Sequence, residues 1–126
     1  MTPPVETDFD EWLAAAHADT GDFTVLFVLM EIGETSVIPL RSAWLHVVGD
    51  ETRWSEMVAL FAGAGVPWSG VVFWRAGREG LVPDAEARAR LNALTHRLHE
   101  DRKLIRDGDF FDADGLRLRL EEMKPN

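Results

Sequence analysis

The stretch Phe23 to Met30 reads Phe-Thr-Val-Leu-Phe-Val-Leu-Met, a nearly unbroken apolar run between Asp22 and Glu31. It lacks the period of two that marks a strand with one wet face, so both of its faces need cover, as in a central strand. At eight residues it falls far short of the roughly 20 that a membrane-spanning helix requires. Val25, Phe27 and Leu29 on one side, and Leu26 and Val28 on the other, are therefore expected to be buried.

The remaining pattern predicts a single α+β domain over residues 8–126, behind a flexible tail over residues 1–7 that holds Pro3 and Pro4. Asp8 and Glu11 are spaced as a capping box, and Phe9, Trp12, Leu13 and Ala16 follow at helical spacing. After the apolar strand, Gly33-Glu34-Thr35 is a turn into a second extended segment. Pro39 interrupts that segment or confines its first part to a sheet edge, and Ala43 to Val48 resume it. Asp50 or Thr52 suits the cap of a second helix carrying Trp54, Met57, Val58 and Phe61, with Gly63 or Gly65 as its stop. Val71 to Trp74 reads as another buried strand. Beyond Pro83 a third helix puts Ala87, Leu91, Leu94, Leu98 and Ile105 on one side. Its acids Asp84 and Glu86 and its bases Arg102, Lys103 and Arg106 are placed as the helix dipole favours.

The C-terminus predicts a β-hairpin with Asp114-Gly115 as a two-residue turn. That register pairs Ala113 with Leu116, Asp112 with Arg117 and Phe111 with Leu118, and Leu116, Leu118 and Leu120 then alternate with Arg117 and Arg119. The order is α-β-β-α-β-α-β-β, with three helices and a mixed β-sheet of about four to five strands.

A formal net charge of -9 and a pI near 4.8 oppose binding to a phosphate backbone, so nucleic acid is not expected as a partner. Cysteine is absent, which removes disulfides, thiolate metal sites and cysteine nucleophiles. Eleven of the 13 basic residues are arginine, and alanine is abundant, the imprint of a GC-rich bacterial genome. The N-terminus has neither the basic nor the apolar region of a signal peptide, so no membrane association and a cytoplasmic location are expected.

Few constellations carry chemistry. His96 and His99 are three apart on the third helix but lack a third ligand, and no metal is expected. Asp112, Asp114, Gly115 and Glu121 fall at calcium-loop positions, but Phe110 stands where the first ligand belongs. Gly77-Arg78-Glu79-Gly80 joins a strand to a helix, with Arg75 beside it, yet it matches no phosphate-loop fingerprint, and no cofactor is expected. His46 lies near Asp50 in sequence and is the candidate acid or base, and His17 is the remaining histidine. No Gly-x-Ser-x-Gly elbow is present. Trp12 and Trp54 sit on apolar helix faces. Trp68 and the pair Trp74-Arg75 have the composition of interface anchors.

The expectation is a non-catalytic protein-interaction or regulatory module whose partner is a protein, or a second copy of itself in a dimer. Its candidate contact residues are Trp68, Trp74, Arg75, Arg78 and His46. One alternative is a small-ligand-binding protein or small enzyme using His46 and Asp50 or the loop from Arg75 to Gly80. Another is an acidic inhibitor or immunity-type protein that masks a basic partner.

Overall fold

The computed structural model describes residues 7–77 and 80–118. The tail over residues 1–6, Arg78, and the end of the expected hairpin from Arg119 onward lie outside those residues. The elements run α1 (Asp8–Thr20), β1 (Phe23–Ile32), β2 (Val37–Val47), α2 (Trp54–Ala62), β3 (Gly70–Arg75), α3 (Asp84–Glu100), a 3-10 helix (Arg102–Asp107) and β4 (Asp109–Asp112). The α+β class and the order stand. The sheet was expected to be mixed, but its order is β2-β1-β3-β4 and every pairing is antiparallel. β2 and β3 are both antiparallel to β1 and so run in the same sense, but β1 lies between them, and the crossover through α2 therefore sets no two parallel strands side by side.

β1 is central, between β2 and β3, and its first eight residues are all buried. Val25, Phe27 and Leu29 join Phe9, Leu13, Met57, Phe61, Phe73 and Phe111 in a core under α1 and α2. Leu26, Val28 and Met30 face the other way, toward Leu91, Leu98 and Ile105 of α3 and the 3-10 helix. The unbroken apolar run therefore reflects helices packed on both faces of the sheet.

β2 is the edge strand and runs unbroken through Pro39. Leu29 pairs with Arg41 and Met30 with Pro39, which leaves Leu40 as the extra residue of a β-bulge. An edge position and a bulge are the two places where a strand tolerates a proline.

Helix ends depart from the expected residues for identifiable reasons. The cap of α1 is Thr7, one residue earlier than Asp8. The Thr7 hydroxyl accepts from the Asp10 N–H at 3.1 Å, and the Asp10 carboxylate accepts from the Thr7 N–H at 3.1 Å. Asp8 is thereby released to accept from the Arg117 N–H at 2.8 Å. α2 starts after Arg53, not at Asp50 or Thr52. Its first N–H, on Trp54, donates 2.8 Å to the Asp10 carboxylate, which is buried and belongs to another helix. A tertiary acceptor has replaced the local cap. α3 stops at Glu100, short of Ile105. There the Asp101 carboxylate accepts from the Lys103 N–H at 3.0 Å and starts the 3-10 helix, which still delivers Ile105 to the core.

The C-terminal turn is slipped by one residue from the expected register. Phe111 bridges Arg117, the Asp112 N–H donates to the Leu116 carbonyl at 2.9 Å, and the loop is Ala113-Asp114-Gly115. The Asp112 carboxylate accepts from the N–H groups of Asp114 and Leu116, and Gly115 takes φ 80° against the Trp54 ring. A three-residue loop closed by a left-handed glycine is the next commonest hairpin after the two-residue form. Leu116 is consequently exposed, and Arg117 pairs with Asp109 at 2.8 Å, not with Asp112.

Candidate functional site

His46 and Asp50 are not brought together. His46 lies on β2 beside Thr24 of β1, and its imidazole is held between two oxygens. Nδ1 is 2.8 Å from the Thr24 hydroxyl, and Nε2 is 2.5 Å from the carboxylate of Asp84 at the start of α3. An ionised carboxylate only accepts, so Nε2 carries the proton toward Asp84. In the neutral ring Nδ1 then accepts the Thr24 O–H. The Thr24 oxygen itself accepts from the Val82 N–H at 3.0 Å, and the Trp44 indole N–H donates to Asp84 at 3.0 Å. Asp50 instead sits in the loop before α2, where its carbonyl accepts from Arg53.

The chain Thr24, His46, Asp84 has the composition of a hydroxyl nucleophile with its base and orienting acid. Thr24, however, has no exposed surface, and its hydroxyl already donates to the imidazole and accepts from the Val82 amide. No substrate carbonyl reaches it in this arrangement. What the arrangement does mechanically is fasten the edge strand to the N-terminus of α3. His46 and Trp44 hold the Asp84 carboxyl below the ordinary aspartate range through their hydrogen bonds, which outweigh the opposing desolvation. The guanidinium of Arg88, 5.6 Å from the Trp44 ring, adds to the same effect.

His17 makes a second fastening. Its Nε2 lies 2.9 Å from Asp22, which also accepts from the Gly49 N–H at 2.9 Å, so α1 is tied to the loop after β2. The Gly49 amide first, and His17 second, draw the Asp22 carboxyl below its ordinary range. His96 pairs with Glu100 at 3.4 Å along the outside of α3. Among the described residues no three histidine, aspartate or glutamate side chains come together as metal ligands.

The tryptophan candidates are both half-buried. Trp68 stacks edge-on against Phe61 and Trp54 on the α1/α2 side, at 5.1 and 6.2 Å. Trp74 faces the α3 side and donates its indole N–H to the Leu104 carbonyl at 3.2 Å. Arg75 ends β3 over the Phe23 ring, 3.7 Å from Asp19.

Two features escaped sequence reasoning. One is Asp84, which was read only as a helix-dipole residue, since nothing local links it to a histidine 38 positions away. The other is the distribution of charge. α1, α2 and the segments flanking them, residues 7–22 and 48–69, carry Asp8, Asp10, Glu11, Asp19, Asp22, Asp50, Glu51 and Glu56 against Arg53 alone. α3 and the 3-10 helix, with Asp101 between them, carry five acids and six bases on the other face of the sheet. The sheet thus separates a strongly acidic layer from a nearly neutral one. Within the acidic layer, α2 turns Ala59, Leu60 and Ala62 to solvent with Leu60 about half exposed, and Glu56 lies beside them. Among the described residues no helix is long and apolar enough to cross a membrane.

Comparison with protein-family models, with curated proteins and with solved structures found no match.

Proposed function

We propose that this chain is a non-catalytic binding domain that docks a basic protein partner on its acidic helical layer, centred on the outer face of α2. The observation that carries the reading is the coincidence of an exposed apolar centre, Ala59, Leu60 and Ala62, with Glu56 on the same helix and Asp50 and Glu51 exposed in the loop before it. Interfaces are built that way, with a desolvated core inside a polar rim. A single-signed rim accelerates the encounter with a surface of opposite charge and repels wrong partners. Trp68, half-buried against Phe61 at the edge of α2, is placed to extend the centre. An inhibitor that masks a basic partner is the narrower form of the same reading.

The test is cross-linking from the outer face of α2 in cell extract, followed by reconstitution with the recovered partner. Glu56→Lys combined with Leu60→Lys alters only exposed positions, so the fold is expected to survive while the complex is lost. His46→Ala should leave binding intact, because His46 lies on the other side of the sheet with Thr24 and Asp84. Association should slow as salt rises, over a Debye length that shortens to about 8 Å at physiological strength. A complex indifferent to the double charge reversal, or a turnover signal that vanishes in a folded His46→Ala variant, would overturn the reading.

A further inference from the structure

Of the two edges of the sheet, that of β4 is met by Arg117 and Leu118, whereas that of β2 has no neighbouring strand among the described residues. The central strand shows which groups of β2 its open edge presents. The carbonyls of Thr24 and Met30 accept from the N–H groups of Ala76 and Ser69, at the two ends of β3. The even-numbered residues of β1 therefore turn their peptide groups toward β3, and the odd-numbered ones turn theirs toward β2. Arg41, Ala43, Leu45 and Val47 stand opposite the odd residues and bond inward, so the N–H and C=O groups of Ser42, Trp44 and His46 point to the open edge. Such a row is a template for a further strand unless something blunts it. Pro39 and the bulge at Leu40 blunt the first part of β2, and Gly49, left-handed at φ 76°, turns the chain away after Val48. Between them, Arg41 to Val48 hold no proline, no lysine and no bulge. Leu91 and Leu98 of α3 pack with Leu26 and Val28 of β1, one strand in from this edge.

The charges and apolar groups of the segment select its occupant. Arg41 stands at its start and Asp50 just past its end; both are exposed, and neither has an ion-pair partner among the described residues. The strand from Arg41 to Val47, about 20 Å long, keeps the two apart within one chain. Val48 is the most exposed large apolar side chain among the described residues, at 67%. Beside the edge, Arg41, Arg88 and Arg102 balance Asp84, Glu100 and Asp101, unlike the excess of carboxylates over α1 and α2. Two copies of an acidic chain repel one another least where the local charges cancel.

We infer that the β2 edges of two copies pair antiparallel about a two-fold axis at Leu45, joining two four-stranded sheets into one of eight strands. An antiparallel copy is the occupant that brings unlike ends together. In this register Arg41 lies opposite Gly49 of the second copy, beside its Asp50, and the symmetry makes that contact twice. Trp44 exchanges backbone hydrogen bonds with the second copy's His46, Leu45 meets its own counterpart, and the second copy's Ser42 lies against Val48. An interface of this extent is of the weak class, so the dimer forms in a concentration-dependent equilibrium. Glu56 and Leu60 take no part in it, and it does not depend on the surface proposed for α2.

The test is sedimentation equilibrium of the full chain from about 10 µM to 1 mM, the range in which small interfaces assemble. Amide hydrogen exchange is followed at both ends of that range. The mass is expected to rise from 14.2 kDa toward twice that value, and the amides of Ser42, Trp44 and His46 to become protected only at the high concentration. Arg41→Asp and Asp50→Arg should each weaken the dimer at least about tenfold, and the double variant should return to within about threefold of wild type. Asp50→Arg reduces the net negative charge, so general repulsion alone would make it strengthen the dimer. Recovery in the double variant requires contact between chains, because the two positions are too far apart in one. Leu60→Ser should leave the dimer unchanged, which separates this surface from that of α2. A single-chain mass throughout, protection confined to another surface, a double variant no better than the single ones, or loss of the dimer in Leu60→Ser would overturn the inference.

Discussion

At the scale of single residues, two carboxylates hold the structure together in ways their neighbours in sequence do not suggest. Asp10 is buried and accepts from the N–H groups of both Thr7 and Trp54, so one side chain caps two helices and ties them together. Each bond is charge-assisted and lies at the positive end of a helix. Asp10→Ala is expected to cost about 2–4 kcal/mol, the sum of a lost cap and an orphaned buried amide, read as a lower urea midpoint. Asp84 works at the surface. Its carboxyl is held below the ordinary aspartate range by His46 and Trp44. A lowered folded-state value means the stabilisation is complete above the ordinary aspartate value of about 4 and is lost as pH falls through the lowered one. Thermal midpoints are therefore expected to fall below about pH 4, less so in Asp84→Asn, and less again when Asp22→Asn is added, since Asp22 is shifted in the same direction.

At the scale of elements, the central strand dominates. β1 buries alternate residues on opposite faces of the sheet, and Phe27 in the largest cluster stacks against both Phe61 and Phe73 at 5.3 and 6.0 Å. Phe27→Ala should cost about 3–5 kcal/mol in denaturant unfolding, because close-packed rings on both sides cannot collapse into the space. A cost near zero would mean that the strand is not packed as described. The bulge in β2 also belongs to this scale. It absorbs Pro39 without ending the strand, and thereby leaves a long edge running beside α3.

At the scale of the whole molecule, charge and layering coincide. A net charge of -9 spread evenly would only keep the chain soluble, but here the eight carboxylates of residues 7–22 and 48–69 outnumber the bases on that side, Arg53 with Arg75 beside Asp19 and Arg117 beside Asp8. Cohesion comes from the three apolar clusters and the side-chain fastenings between layers. The chain has no cysteine, and the described residues offer no grouped ligands. EDTA is accordingly expected to leave the thermal midpoint unchanged, whereas a drop of several degrees would reveal a structural metal.

What the sequence determined by itself is what depends on short-range pattern. The apolar run of β1, the helical spacing of Phe9, Leu13 and Ala16, and that of Ala87, Leu91 and Leu98 each state which face must be buried, and those faces are buried. The α+β class and the order of elements follow from those patterns. Tertiary structure decided everything that depended on partners distant in the chain. The antiparallel sense of every pairing, the cap of α2 by Asp10 and the one-residue slip of the turn at Gly115 are choices between local states of similar energy, settled by contacts from elsewhere. The pairing of His46 with Asp84 in place of Asp50, and the gathering of carboxylates on one face, arise in the same way. A propensity of a few tenths of a kcal/mol per residue is outweighed by one buried hydrogen bond or one packed ring, and only the folded chain brings those together.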